Sequence, residues 1–287
     1  MKFYTIQIIC ISKKYSFKEQ GPLNRYKKRK IINWERSNTS SESINLLSEE
    51  PLSIRLQGNS YSVIMRTPGE EIPHAAGFCL GEGIVDHPSE IGSIGFCDND
   101  TNVVTVTLTP EKVEKIPDII ERRSYISQTS CGICGKELID DLKQKLTPIT
   151  STNRINIDKA YSAISNLSDH QELRNKTRAS HGAALFDADI NFLEVAEDAG
   201  RHNAVDKVIG KLFLGEKLKS AKLLILSSRI SYELVQKAAR AGIPVIIAVS
   251  RPTNLAVELA DSLNMTLACL SKGDGLKIFC NEKGFEI

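Results

Sequence analysis

From Pro51 onward the chain switches between two hydrophobic patterns, one of period two and one of helical period. PLSIRLQGNSYSVIMRTP alternates on either side of Gly58-Asn59, which predicts two strands joined by a tight turn. PHAAGFCLGEGIV predicts a short helix closed by glycines. TNVVTVTLTP, rich in valine and threonine, predicts a strand ended by Pro110. EKVEKIPDIIERR predicts helical pieces broken at Pro117.

The second half is more regular. HGAALFD and FLEVAEDAG read as a pair of strands. AVDKVIGKLFLG sets Val205, Val208, Ile209, Leu212 and Phe213 on one helical stripe. AKLLILSS and IPVIIAVS are continuous apolar runs, as strands covered on both faces require. Between them ISYELVQKAARAG predicts a helix with Glu233 in its first turn and Gly242 closing it. TNLAVELADSLN repeats the helix, MTLACLS adds a strand, and GLKIFCN an edge. Strand–helix–strand–helix–strand predicts an α/β protein with a parallel, doubly wound layer.

Composition changes this picture little. The 287 residues are 41% hydrophobic and 25% charged, with a formal net charge of +2, so no global electrostatic case for nucleic acid arises. No apolar run of membrane-spanning length is present. FYTIQIICI near the start is followed by SKKYSFK rather than a small-residue cleavage site, which argues against a secretory leader. Seven cysteines without framework spacing point to reduced thiols. The expected organisation is a basic, polar extension over 1–40 and a small α+β unit over 41–125. A pliable cysteine loop with a linker helix over 126–150 and an α/β domain over 151–287 follow.

Ligands of such layers bind beyond the carboxyl ends of the strands. Ser228-Arg229 and Ser250-Arg251 each follow a buried strand, and Arg201-His202-Asn203 opens a helix after Glu197-Asp198. A hydroxyl and a guanidinium beside free helical N–H groups suit phosphates. The bland alternative is that Thr253, Ser231 and Asp198 only cap helices. LSKGDG is a Gly-rich turn that meets a phosphate only if it shares the same rim.

SYISQTSCGICGKE holds Cys131 and Cys134 two residues apart. Zinc would need two further ligands, and Cys79, Cys97, Cys269 and Cys280 form no second pair. A redox disulfide would sit at a strand-to-helix junction, whereas serine-rich sequence precedes Cys131. A sulfur-carrying thiol is the third reading, favoured by Gly132, Gly135, Lys136 and a helix beginning nearby. Zinc deamination needs H-x-E followed by P-C-x-x-C, whereas Gly182-Ala183 follow His181 and the cysteine pair precedes it with no proline.

TSCGICGK, RTPGEE with GFCLGEGIV, EDAGRHNAVDKVIG, SSRISYELVQKAARAGIPVIIAVS and NLAVELADSLNMTL together resemble the formate dehydrogenase accessory sulfurtransferase family (FdhD), over Ile44 to Ile287. The resemblance implies a cytoplasmic homodimer with a cytidine-deaminase-like three-layer domain and a smaller N-terminal α+β domain. It implies a persulfide carrier that takes sulfur from a cysteine desulfurase. The acceptor would be a molybdenum (or tungsten) bis(molybdopterin guanine dinucleotide) cofactor destined for formate dehydrogenase. No catalytic zinc, nucleic acid or membrane is involved. Cys131 becomes the persulfide cysteine, Cys134 its partner, and Leu270, Ser271, Lys272, Gly273, Asp274 and Gly275 the cofactor-binding stretch. Guanine nucleotide ends would explain a rim at Arg201, His202, Ser228 and Arg229. Clamping of metal by the cysteines in a cofactor-binding chaperone is the alternative. The chain departs from the family in TRASHGAALFD, where Thr177 and His181 stay but glycines are lost. It departs again at Pro73-His74 and at Leu270, where an aromatic is usual. His87 and His170 are expected to be solvated.

Overall fold

Strands Leu223–Leu226 and Val245–Ala248 are buried at every position because both faces of their sheet are covered. The computed structural model describes residues 24–36, 38–97, 100–115, 146–150 and 154–287. In chain order the strands are β1 (Tyr26–Glu35), β2 (Asn38–Leu47), β3 (Glu50–Leu56), β4 (Asn59–Arg66), β5 (Ile91–Cys97), β6 (Asp100–Leu108) and β7 (Ile155–Asn156). They continue as β8 (His181–Phe186), β9 (Phe192–Asp198), β10 (Leu223–Leu226), β11 (Val245–Ala248), β12 (Thr266–Leu270), β13 (Leu276–Cys280) and β14 (Phe285–Glu286). The helices are α1 (Glu71–Gly81), α2 (Pro110–Lys115), α3 (Ile157–Ser165), α4 (Glu172–Thr177), α5 (Arg201–Leu214), α6 (Tyr232–Arg240) and α7 (Asn254–Ser262).

The main sheet has six strands in the order β13-β12-β11-β10-β8-β9. It is mixed, which corrects the expectation of a parallel, doubly wound layer: β10, β11 and β12 run parallel, while β8 and β13 pair antiparallel to their neighbours. Apolar runs report burial of both faces and carry no strand direction. The order 10-11-12 is monotonic, so the two crossover helices α6 and α7 pack with α5 on one face. There Leu224, Leu226, Ile246, Ala248 and Leu267 join one core. Leu223, Ile225, Val245, Ile247 and Ala268 point the other way, against Ile155, Ile164, Leu167 and Phe285.

A four-stranded sheet, β4-β3-β6-β5, turns Leu52, Ile54, Val104 and Val106 onto α1 and into the same first core. Its leading hairpin turns at Gln57-Gly58, one residue earlier than the sequence suggested, with φ of 51° and 82° as a two-residue type I′ loop requires. The two sheets meet where α1 crosses α5. A Cβ added at Gly77 would lie 1.9 Å from the Asp206 carbonyl oxygen, and one at Gly210 1.8 Å from that of Pro73. Only glycines allow backbones this close.

Within its described residues, the basic, polar extension expected over 1–40 holds a strand. Tyr26–Glu35 pairs antiparallel with Asn38–Leu47 from Tyr26↔Leu47 to Glu35↔Asn38, as a two-stranded ribbon. Nearly all its side chains face solvent, so no hydrophobic period marked it.

Candidate functional site

β9 is antiparallel to β8, and β8 is antiparallel to β10, so β9, β10, β11 and β12 all run the same way. Their carboxyl ends therefore share one edge, where β8 and β13 begin. On this edge lie His181, Arg201-His202, Ser227-Ser228-Arg229, Ser250-Arg251 and the turn Leu270–Gly275. The sheet thus gathers the residues expected to form an anion rim. β9 and β12 stand four strand spacings apart, about 19 Å. The strand ends bearing Arg229 and Arg251 lie between them. An elongated polyanion matches that span better than one phosphate.

Burial first, and then the Arg229 guanidinium, pull Arg201 below the ordinary arginine value. Its Nε is buried without a partner among the described residues, as is Nδ1 of His181. Burial, followed by Arg201 and Arg174, likewise lowers the pKa of His181 and favours its neutral ring. His202 Nε2 donates to Glu233 at 2.7 Å and lies 3.3 Å from Ser231 Oγ, and this contact holds Glu233 below the usual carboxylate range. Ser228 is buried, with its hydroxyl donating to the Arg229 carbonyl. In the late turn the Ser271 N–H donates to the Gly275 carbonyl at 2.9 Å, while Lys272, Gly273 and Asp274 are exposed.

The capping alternative fits only in part. Thr253 caps α7 by accepting from the Ala256 N–H. Ser231 makes no side-chain cap and faces His202. Asp198 is fully buried and pairs with Lys207 Nζ at 2.7 Å. It also accepts from the N–H groups of Thr67 and Gly200 and from Asn203 Nδ2. Lys207 Nζ donates to the Thr67 carbonyl at 2.8 Å, and Thr67 Oγ1 accepts from the Ala199 N–H. RTPGEE and EDAGRHNAVDK are therefore two halves of one buried knot that fixes the start of α5, and with it Arg201 and His202. Glu197 is structural as well: it accepts from the Leu173 and Arg174 N–H groups and from Ser180 Oγ, seating α4. Sequence reasoning missed these roles because buried and surface charges are spelled alike.

His74 lies fully buried beside this knot. Burial, then Lys207, Lys237 and Arg66, hold its pKa well below 6.5. The unfolded chain binds a proton near pH 6.5 that the folded chain refuses, so stability falls as pH drops below 6.5. The slope from this group is at most about 1.4 kcal/mol per pH unit. Denaturant titrations at pH 7.5, 6.5 and 5.5 should show that loss, and His74→Leu should flatten it. His170 is exposed, as expected, and its ring stacks on Phe192 with ring centroids 4.4 Å apart.

Cys131 and Cys134 lie outside the described residues. Among the described cysteines, burial pushes the Cys79 thiol up to about 12 and raises Cys269 and Cys280. Among the described residues, no helix is long and apolar enough to cross a membrane.

A mixed α/β protein with a cationic rim at its strand ends is the class that fold and site define. The FdhD/NarQ family model matches residues 47–285, and the chain belongs to that family. Sulfur carrier protein FdhD of Streptomyces coelicolor is 37% identical over 265 residues, covering 88% of this chain and 93% of its own. The protein of that name from Mycobacterium bovis is 39% identical, covering 82% and 89%. The one from Saccharolobus solfataricus is 32% identical, covering 90% and 98%. The fold matches the crystal structure of a protein described as a formate dehydrogenase accessory protein from Desulfotalea psychrophila. There the TM-score is 0.73 at 23% identity, over 92% of this chain and all of the other.

Proposed function

We propose that this chain is a sulfur carrier of formate dehydrogenase maturation. The observation that carries the reading is its likeness, at 32–39% identity over most of its length, to proteins named sulfur carrier protein FdhD. Cys131 is the carrier. Its thiolate attacks the outer sulfur of a cysteine desulfurase persulfide, the donor's S–S bond breaks as the new one forms, and the donor leaves as a thiolate. Cys134 assists the transfer. The buried thiols Cys79 and Cys269 and the half-buried Cys280 are poor candidates, since raised pKa values keep them protonated.

The sulfur acceptor is a molybdenum or tungsten bis(molybdopterin guanine dinucleotide). Its nucleotide ends fit a rim of Arg201, His202, Ser228, Arg229 and Leu270–Gly275, whose length and charge suit an elongated polyanion. His181 belongs to the same rim. In this reading the six-stranded layer is related to that of cytidine deaminases, and the chain works as a cytoplasmic homodimer.

The test is intact-protein mass spectrometry after incubation with a cysteine desulfurase and cysteine. Wild type should gain a reducible sulfur of about 32 Da, and Cys131→Ala should gain none while still binding cofactor and failing to activate formate dehydrogenase. Full activation by Cys131→Ala would instead favour the cofactor-binding chaperone.

A further inference from the structure

The ribbon Tyr26–Leu47 has no part in the rim or the cores, and its shape calls for an explanation. A lone two-stranded ribbon is marginal in water, yet this one projects with both faces wet. Ile32 and Trp34 are 74% and 71% exposed on the same face as Lys28 and Lys30. Over Arg25 to Arg36 six cations (Arg25, Lys27, Lys28, Arg29, Lys30, Arg36) stand against one carboxylate, Glu35. In a chain of net charge +2 this is a strong local field.

The base of the ribbon adjoins the rim. Lys176 Nζ sits 5.6 Å from the centre of the Tyr26 ring, and β2 touches α4. On the same short helix Arg174 donates to the Ser180 carbonyl, next to His181, whose charge environment it shapes. One helical turn thus separates the arm from the proposed site.

We infer that the ribbon is a docking arm for an acidic face of the sulfur-donating protein. The inference rests on the sulfur-carrier reading. A small anionic cofactor can reach the rim unaided, but a persulfide sulfur is bonded to a protein and must be carried in by docking. The side chains fit a protein partner better than nucleic acid. Tryptophan and arginine are the residues that anchor interfaces, and the cations line one strand only, since β2 carries none. Opposite charge then steers the encounter.

The test compares full-length wild type, Lys28→Glu/Lys30→Glu and Trp34→Ala, each loaded by a cysteine desulfurase with cysteine or by glutathione persulfide. Sulfur gain is followed by mass spectrometry at 50 and 300 mM salt. With desulfurase, wild type should load faster at low salt, and the charge-reversal variant about tenfold more slowly and with little salt dependence. Trp34→Ala should also load more slowly. With glutathione persulfide, all three should load alike. Equal desulfurase rates in all three overturn the arm while leaving the carrier intact. Failure of wild type with both donors overturns the carrier reading and the arm with it. Unchanged desulfurase rates, with loss of binding to RNA or anionic vesicles or loss of dimer, reassign the ribbon to that occupant.

Discussion

Asp198→Asn should cost the fold about 3–5 kcal/mol, the penalty of leaving a buried lysine without its counter-charge. Lys207 is fully buried, and once the carboxylate is gone its ammonium keeps the Thr67 carbonyl but has no counter-charge among the described residues. Asp198 Oδ2 accepts from the Thr67 N–H and Oδ1 from the Gly200 N–H and Asn203 Nδ2, so an amide nitrogen at either position removes an acceptor. A loss of this size should lower the melting temperature by about 10 °C. Asp198→Asn/Lys207→Met should recover much of the loss, because no orphan charge remains and methionine fills the stem volume. Equal melting of Asp198→Asn and wild type would show that the knot is not what holds α5.

Gly77→Ala should be nearly as damaging by a different route. The new methyl would be driven into the Asp206 backbone, which has no rotamer to move, so α1 and α5 must separate. Overpacking of this kind costs about 3 kcal/mol or more. Gly210→Ala meets the Pro73 carbonyl from the other side of the same crossing. Combining the two should cost less than their sum, because the first already opens the gap. Urea denaturation of both singles and the double measures this, and strict additivity would mean that the helices do not share one contact.

The elements of the second half were legible because buried strands and amphipathic helices write themselves as runs and stripes. Strand direction was not: GLKIFC is recognisable as an edge, while its antiparallel sense depends on the turn Ser271–Gly275 and on neighbours far away. The polar ribbon was invisible because YKKRKIINWE and NTSSESINLL pair without a core to impose a period. The rim was legible from the serine, arginine and histidine that follow the strands. Its scaffold was not, since nothing local in RTPGEE says that Thr67 will meet Asp198. The cysteine pair was conspicuous as a motif, and its chemistry rests on family membership and the proposed test.

The interlock of the two halves has a consequence during synthesis. The hydrogen bonds Thr67–Asp198 and Leu80–Arg240 span 131 and 160 residues. A ribosome adds about 5–20 residues per second, so the first partners wait many seconds for the second. Until then Arg201 has no fixed position and the strand ends that carry Arg229 and Arg251 do not exist. A nascent or truncated chain therefore lacks the assembled strand-end edge, which forms only once both halves of the interlock have been made.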